Sequence, residues 1–424
     1  VCSLGDNSVT EGEVAEAFQF AALHQLPIIF LVQDNEWGIS VTKEEARTSD
    51  AYDYAAGFVG LNRMRIDGTD FVESFIQMQK AVHFVREERK PLLVCAKTVL
   101  IGHHTSGVRR EFYRDEADLA KHRAKDPGII LKKYLLEEGF SEETLSQIET
   151  EARKQIEEDF NKAILAPDPK PESVKEHVYA PTPITEEKGN RVPENGEKIP
   201  MVDAGIHAIQ ELMHKHPEAL LYGQDVGGRI GGVFREAVTL QQKFGNKRVF
   251  NTAIQEAYII GSTVGMSAVG LKPIVEVQFA DYIYPGINQL VTEVSKSCYL
   301  SNGKYPISSI IRVPIGAYGG GGPYHSGSVE TMLAQIKGIK IAYPSNAADF
   351  KGLFKAAFYD PNPVIFLEHK GLYWSKVPGT EDAKTIEPAE DYILPFGKAN
   401  IIKFANEEEI QKGRTLVVVT YGMG

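Results

Sequence analysis

The chain alternates short apolar runs with longer stretches whose apolar residues recur every three to four positions. In the first half, PIIFLVQDN and PLLVCAKTV are typical of buried strands, whereas EVAEAFQFAALHQ and FVESFIQMQKAVHFVREE are typical of amphipathic helices. Strands that alternate with helices predict an α/β fold built on a parallel sheet. Cys95 lies inside the second apolar run, which favours a buried thiol.

The same alternation continues in the second half and predicts a second α/β domain. We expect helices at 203–215, 255–269, 282–299 and 347–358, and strands at 219–222, 273–277, 307–312 and 363–367. The last stretch, RTLVVVTYGMG, has the composition of another buried strand. We expect it to begin a third domain.

Residues 166–199 separate these halves and are rich in Pro, Lys and Glu without apolar periodicity, which predicts a linker. The predicted organisation is a first domain at 1–165, this linker, a second domain at 200–385 and the start of a third at 386–424. Because the chain opens on VCSLGD, a sequence typical of the interior of a domain, we expect truncation at both ends.

Composition excludes some classes of function. A net charge of −11, spread along 424 residues, argues against nucleic acid or an anionic membrane surface as a partner. The three cysteines are far apart and lack metal-ligand spacing, which fits a reducing compartment. There is no apolar stretch of membrane-spanning length and no signal peptide. We therefore expect a cytoplasmic protein.

Polar side chains follow two neighbouring strands of the first predicted sheet. Asp6 comes directly after VCSLG, and Asn35 follows IIFLVQD. Because parallel strands share their carboxyl edge, both oxygens face one crevice, where Mg²⁺ could hold a diphosphate beside a helix N-terminus. The alternative is that Asp6 caps the following helix and Asn35 forms a turn. These residues alone do not decide between the two.

The spacing of Asp6 and Asn35 resembles the fingerprint of thiamine-diphosphate enzymes. Further along, VFNTAIQEAYIIGSTVGMSAVGLKPIVEVQFADYIYPGINQL and GGGGPYHSGSVE resemble the β subunit of the first, decarboxylating component of 2-oxo acid dehydrogenases. The first half, with LIGHHTSG, is similar to the α subunit. The resemblance implies a fused α and β chain with two thiamine-diphosphate-binding-fold domains and the start of a transketolase C-terminal-type domain.

The resemblance assigns the metal side of the site to the first half. Asp6 and Asn35 would be side-chain ligands of Mg²⁺, and the backbone carbonyl of Trp37 would be a third ligand. Gly5 and Asn7 would complete the cofactor-binding turn. Because Asn7 stands where most relatives have glycine, we expect it in the left-handed conformation that asparagine tolerates best after glycine.

Glu256, in NTAIQEA, matches the family's glutamate that hydrogen-bonds the aminopyrimidine ring of the cofactor. A carboxylate there stabilises the imino tautomer, whose nitrogen can take the proton from the thiazolium carbon and leave the ylid. Without the resemblance, a solvated glutamate at a helix start is the simpler interpretation.

Aromatic and imidazole side chains complete the implied site. Tyr282, in FADYIYP, would pack on the pyrimidine face, with Phe279 as a competitor and an ordinary core position as the alternative. His104 and His325, both in glycine-bounded loops, match two active-site histidines that handle the substrate carboxylate and proton transfers. We interpret His103 as a loop anchor.

Other positions bear on how the site works. Glu11 and Glu16 match transketolase carboxylates that connect two active sites, although solvent-facing glutamates explain them equally well. Gln33 and Leu100 stand where branched-chain relatives commonly carry arginine, so diphosphate contacts should differ. Arginine and tyrosine contacts to phosphate would precede Val1.

The resemblance implies oxidative decarboxylation of a small 2-oxo acid, branched-chain favoured over pyruvate. The acyl group would pass to the lipoyl domain of the dihydrolipoyl acyltransferase component. Because the family's halves come from different protomers, a homodimer of fused chains, equivalent to α2β2, is implied. A transketolase or deoxyxylulose-phosphate synthase is one alternative. A non-catalytic scaffold subunit of the complex is another.

Overall fold

The structure is a computed structural model that describes residues 1–318 and 321–424, so the first two glycines of GGGGPYHSGSVE lie outside the described residues. The chain divides into two compact units, Val1–Pro169 and Lys170–Gly424. Each unit contains a parallel sheet with helices, which confirms the predicted α/β class. Among the helices of the described ranges, none is long and apolar enough to span a membrane.

The first unit is built on four parallel strands. They are β1 (Cys2–Gly5), β2 (Ile29–Asp34), β3 (Asn62–Asp67) and β4 (Leu92–Lys97), arranged in the order β1–β2–β4–β3. Its helices are Gly12–Leu23, Lys43–Ala46, Ala51–Tyr54, Phe71–Glu88, Glu116–Arg123, Pro127–Glu137 and Glu142–Leu165. Cys95 is buried in β4, as expected.

Local sequence explains where these elements begin and pack. The helix Phe71–Glu88 starts after Asp70, whose side chain accepts a hydrogen bond from the backbone N–H of Glu73, and it ends at the left-handed Arg89. The helix Gly12–Leu23 buries Phe18 edge-on against Phe30 of β2, with 4.8 Å between the ring centroids. These contacts fix the helix against the sheet.

The second unit contains six parallel strands. They are β5 (Ala219–Gly223), β6 (Val249–Asn251), β7 (Lys272–Glu276), β8 (Ile310–Ile315), β9 (Lys340–Ala342) and β10 (Val364–His369), in the order β9–β10–β8–β7–β5–β6. Consecutive residues Ile310 and Ile311 enter different apolar clusters, so both faces of the sheet are buried. The main helices are Met201–Lys215, Leu240–Phe244, Glu256–Ala268, Glu330–Leu333, Ala347–Tyr359, Lys370–Tyr373 and Glu407–Gln411.

The predicted α-helix at 282–299 is wrong in detail. The segment is a series of short turns, namely 3₁₀ turns at Ala280–Tyr282 and Tyr284–Gly286, α-turns at Ile287–Gln289 and Ser297–Leu300, and a π-turn at Leu290–Val294. Pro285 cannot donate a backbone hydrogen bond, and a Cβ on Gly286 would lie 2.8 Å from the carbonyl oxygen of Glu256. Close packing at this glycine therefore constrains the local path of the chain.

Two further segments differ from simple expectation. The stretch 414–420 forms no strand, and Val417 is 86% exposed. A strand is stabilised by pairing with a neighbour, and no strand of the described ranges pairs with this stretch. Part of the predicted linker packs on the second unit, because Asn362 exchanges hydrogen bonds with both backbone groups of Ala180 (2.7 and 2.9 Å).

Candidate functional site

Asp6 and Asn35 lie at the carboxyl edge of adjacent strands. Gly5, the last residue of β1, pairs with Gln33 of β2, so Asp6 and Asn35 each follow their strand at the same edge. Asp6 is only 2% exposed. The Oδ1 atom of Asn35 accepts a hydrogen bond from the backbone N–H of Trp37 at 3.0 Å, which holds the turn.

Two cations that sequence reasoning missed neutralise this edge. Nη2 of Arg47 lies 2.9 Å from Oδ2 of Asp6 and 2.6 Å from Oδ1 of Asp34, and the ammonium of Lys97 also contacts Asp34. Burial raises the pKa of the Asp6 carboxyl although Arg47 opposes the shift. Burial also opposes ionisation of Asp34, but hydrogen bonds from Lys97 and Arg47 outweigh it and lower its pKa.

The turn after β1 differs from expectation at Asn7. Its backbone has φ −79° and ψ −27°, so the expected left-handed conformation is wrong. The side chain instead fills space beside Gly38, where a Cβ would lie 1.9 Å from Nδ2 of Asn7. Gly5 closes the turn, since its carbonyl accepts a hydrogen bond from the Ser8 hydroxyl at 2.8 Å. An asparagine is therefore accommodated by packing and not by an unusual φ.

The chemistry of the donors at this edge fits Mg²⁺. Asp6 offers a buried carboxylate, and Oδ1 of Asn7 is buried without a hydrogen-bond partner among the described residues. Asn35 and the Trp37 carbonyl add neutral oxygens, and hard oxygen atoms are what Mg²⁺ prefers. A metal ion here would share the Asp6 carboxylate with Arg47 or replace Arg47 beside it.

The loop that carries His104 is anchored at its stem. Leu100 uses both backbone groups, because its N–H donates to Nδ1 of His122 at 3.0 Å and its carbonyl accepts from Arg114 at 2.7 Å. His103 accepts a hydrogen bond from the backbone N–H of Arg110 at 3.2 Å, whereas His104 is exposed. The structure thus presents His104 on a held loop.

The structure also shows the surroundings of Glu11 and Glu16, whose roles the sequence leaves open. Glu11 is exposed and immediately precedes the helix Gly12–Leu23, whereas Glu16 is half-buried within that helix. Trp37 lies beneath the Arg114 guanidinium, whose carbon is 5.3 Å from the ring centroid. A carboxylate network through Glu11 and Glu16 stays a prediction.

Glu256 is the first residue of the helix Glu256–Ala268 in the second unit. It is 8% exposed, so it is not a solvated glutamate, and its Oε1 accepts a hydrogen bond from Nε2 of Gln224 at 2.8 Å. Gln224 directly follows β5, at the carboxyl edge of the sheet. Sequence reasoning missed Gln224, although its place after a strand was a usable signal.

Tyr282, Phe279 and His325 form one cluster. The Tyr282 hydroxyl lies 2.7 Å from Nε2 of His325, and the Phe279 ring meets the imidazole edge-on with centroids 4.7 Å apart. Nδ1 of His325 lies 3.0 Å from the carbonyl oxygen of Gly321. Because a carbonyl only accepts, the imidazole donates from Nδ1, and Nε2 is the nitrogen that accepts from the Tyr282 hydroxyl.

Comparisons with known proteins identify two families along the chain. Residues 1–172 match the family Dehydrogenase E1 component, and residues 197–375 match the family Transketolase, pyrimidine binding domain. The resemblance predicted from sequence is thereby confirmed, since one chain contains a region that matches the dehydrogenase family and a second region that matches the pyrimidine-binding family.

Individual relatives match the second half. The chain is 39% identical over 222 residues to the 2-oxoisovalerate dehydrogenase subunit beta of Bacillus subtilis. The matched region covers 52% of this chain and 63% of the relative. It is 38% identical over 224 residues to the pyruvate dehydrogenase E1 component subunit beta of Acholeplasma laidlawii, covering 53% and 64%. The chain therefore spans less than two thirds of these relatives.

Proposed function

We propose that the chain catalyses the oxidative decarboxylation of a small 2-oxo acid with thiamine diphosphate and Mg²⁺. The observation that carries the proposal is the buried carboxyl of Glu256, held by Gln224 in the domain that matches a pyrimidine-binding family. Relatives named for 2-oxoisovalerate and for pyruvate both match, and the GHHTS and FADY motifs favour a branched-chain substrate.

Each unit would contribute its own chemistry. When bound, thiamine diphosphate supplies a nucleophilic thiazolium carbon and accepts the electrons released by decarboxylation. Glu256 would accept a hydrogen bond from the aminopyrimidine ring, and Gln224 fixes the direction of its carboxylate. Asp6, Asn35 and the Trp37 carbonyl would hold Mg²⁺ and with it the diphosphate.

The histidines would handle protons and the substrate carboxylate. His325 would accept or donate a proton at Nε2, and the Tyr282 hydroxyl that contacts this nitrogen could relay it. His104, exposed on its anchored loop, would bind the substrate carboxylate. Tyr282 and Phe279 would offer aromatic surface to the pyrimidine.

The proposal extends to partners and location. The acyl group would pass to the lipoyl domain of a dihydrolipoyl acyltransferase component, which is the acceptor that the family resemblance implies. The proposed assembly is a homodimer of fused chains, equivalent to α2β2. The proposed location is the cytoplasm.

The test combines binding with product analysis. Calorimetric titration with thiamine diphosphate and Mg²⁺ should show binding, and addition of 2-oxoisovalerate with a dye acceptor should release carbon dioxide. Ketol transfer between sugars without dye reduction would make the protein a transketolase. Absence of cofactor binding would leave only a scaffold subunit. Either outcome overturns the proposal.

Glu256→Gln examines the central residue. The amide can still hydrogen-bond but is a far weaker base, so cofactor affinity should change little while turnover falls roughly 10²–10⁴-fold. Glu142→Gln is the control, because Glu142 also begins a helix but its side chain is 68% exposed. Equal turnover of the Glu256 variant and parent, each saturated with cofactor, would remove Glu256 from the mechanism.

A further inference from the structure

We infer that Lys370 is a positioning residue for His325, a role that adds to the proposed function and depends on it only for its effect on turnover. Lys370 follows β10 and is 1% exposed. Its ammonium donates a hydrogen bond to the backbone carbonyl of His325. Because this bond holds the main chain, it fixes the backbone position from which the His325 side chain extends. This effect does not depend on what the imidazole itself contacts.

The surroundings of this ammonium are unusual for a buried charge. It lies 4.8 Å from the Phe279 ring centroid and 5.6 Å from that of Phe234, both within cation–π range. Among the described residues, no carboxylate oxygen lies within 4.0 Å of its Nζ atom. Burial lowers the pKa of Lys370, opposed by the more distant Asp281. A buried lysine without an ion pair costs stability, which indicates a role other than stabilising the fold.

The loop 321–327 is also contacted by two consecutive side chains, those of Asp281 and Tyr282, and the carbonyl of Gly327 accepts a hydrogen bond from the backbone N–H of Gly316 at 3.0 Å. Asp281 accepts a hydrogen bond from the backbone N–H of Gly327 at 2.9 Å, and Tyr282 contacts the imidazole of His325. A Cβ on Gly327 would lie 2.7 Å from Oδ1 of Asp281, so glycine permits this close approach. Of these contacts, only that of Lys370 holds the backbone of His325 from outside the loop, since the N–H of His325 donates to the carbonyl of Gly322 within it at 3.4 Å.

The consequence is a fixed imidazole tautomer. With its carbonyl held, His325 can keep Nδ1 against the carbonyl of Gly321 and turn Nε2 toward Tyr282. If the backbone of His325 were released, the ring could rotate and either nitrogen could carry the proton. Lys370 would therefore act through the orientation of His325 without touching substrate.

The test follows the ring nitrogens by ¹⁵N NMR of histidine-labelled protein, with the His325 signals assigned from a His325→Gln spectrum. Lys370→Met keeps most of the apolar stem and removes the donor. We expect the neutral ring to change from one tautomer, protonated at Nδ1, to a mixture. Lys351→Met is the matched control, since Lys351 is also 1% exposed but pairs with Glu211 and Glu387. An unchanged tautomer in Lys370→Met would overturn the inference.

Activity adds a second readout. Lys370→Met should lower kcat roughly 10- to 100-fold through misplacement of His325, with KM for the 2-oxo acid and cofactor affinity near those of the parent. Lys370→Arg keeps a donor and should recover the single tautomer. If Lys370→Met does not fold, Lys370→Gln, whose polar side chain is one atom shorter and carries no ammonium for the His325 carbonyl, should give the same mixture, and a single tautomer in that variant would overturn the inference.

The two proposals can fail separately. A mixed tautomer in Lys370→Met, together with a parent that decarboxylates no 2-oxo acid, would retain the positioning role and overturn the proposed function. A parent that decarboxylates 2-oxo acids, with a tautomer indifferent to Lys370, would do the reverse.

Discussion

Each unit buries a network of charges, and the two networks differ in their balance. In the first unit, Asp6 and Asp34 face two cations, Arg47 and Lys97. In the second, Arg312 alone faces three glutamates. Its guanidinium binds Glu368 at 2.7 and 2.8 Å and Glu276 at 2.9 Å, and Nη1 also reaches the carbonyl oxygen of Glu236 at 3.5 Å.

This difference shows that burial alone does not set protonation. Glu276 is fully buried and faces Glu236, so its pKa is raised well above the usual range, and burial also raises the pKa of Glu236. Asp34 is equally inaccessible, but paired cations lower its pKa. Without a second cation, the pKa of Glu276 is raised in the second network, whereas two cations lower the pKa of Asp34 in the first.

The largest effect should follow removal of the single cation of the second network. Arg312→Met leaves three buried carboxyls without a counterion and should cost about 3–5 kcal/mol of unfolding free energy. Arg65→Met is the control, because Arg65 also binds two carboxylates but its side chain is 44% exposed, so the loss should be at most about 1 kcal/mol. Hydrogen exchange of peptides within each unit would measure both. Equal losses would contradict the comparison.

The next effect concerns the first network in its proposed role as a metal site. Asp6→Ala removes the buried carboxylate and should weaken Mg²⁺-dependent binding of thiamine diphosphate by roughly 100-fold or more. Asn35→Ala should weaken it less. Asp53→Ala, a change at an exposed ion pair of the same unit, should leave affinity unchanged. If Asp6→Ala bound cofactor as tightly as the parent in calorimetry, the metal-ligand role would be refuted and the ion pair with Arg47 would be left as the role of Asp6, which caps neither of the two helices that follow β1.

The pH dependence of the two networks should have opposite signs. The raised pKa of Glu276 contributes stability that is present below the unfolded value of 4.5 and is lost as pH rises through the folded pKa. The lowered pKa of Asp34 contributes stability that is present above the unfolded value of 3.8 and is lost as pH falls through the folded pKa.

Single isosteric changes separate these contributions. Glu276→Gln should reduce the fall in stability of the second unit as the pH rises above 4.5. Asp34→Asn should reduce the fall in stability of the first unit as the pH drops below 3.8. We expect slopes of about 1.4 kcal/mol per pH unit at most, from one proton. Parallel pH profiles in both units, measured by hydrogen exchange, would refute the difference.

The smallest effect lies at the rim of the first unit. Hydrogen bonds from Lys43 and Lys121 outweigh burial and lower the pKa of Glu36 to about 2. Lys121→Ala removes one of these partners, so the pKa should rise toward the usual 4.5 while stability changes by no more than about 1 kcal/mol. NMR titration of the Glu36 carboxyl carbon would record the shift, and Lys125→Ala should leave it unchanged.

Sequence reasoning found the residues whose place follows from local rules. Asp6 and Asn35 could be placed at one edge because parallel strands share their carboxyl edge, whereas Glu256 was identified only through the family resemblance, since local rules favour a solvated glutamate at a helix start. Gln224 and Lys370 were missed, since their partners lie 32 and 45 residues away and only packing brings them together.

Local sequence rules also failed in two segments, where apolar pattern and composition do not determine the form of the backbone. The helix predicted at 282–299 has the right helical character but is divided into 3₁₀, α and π turns around Pro285, and apolar periodicity does not distinguish these forms. The stretch 414–420 has the composition of a strand, but composition does not supply a partner strand.

The contact between Asn7 and Gly38 makes the fate of one mutation depend on another. Gly38 has no Cβ and the amide of Asn7 occupies the place where one would stand. Gly38→Ala should therefore be poorly tolerated alone but acceptable after Asn7→Gly, so a lineage can reach the double change safely by only one order of steps. The residues at positions 7 and 38 should therefore vary together among related sequences. One of the two must be glycine whenever the other carries a side chain.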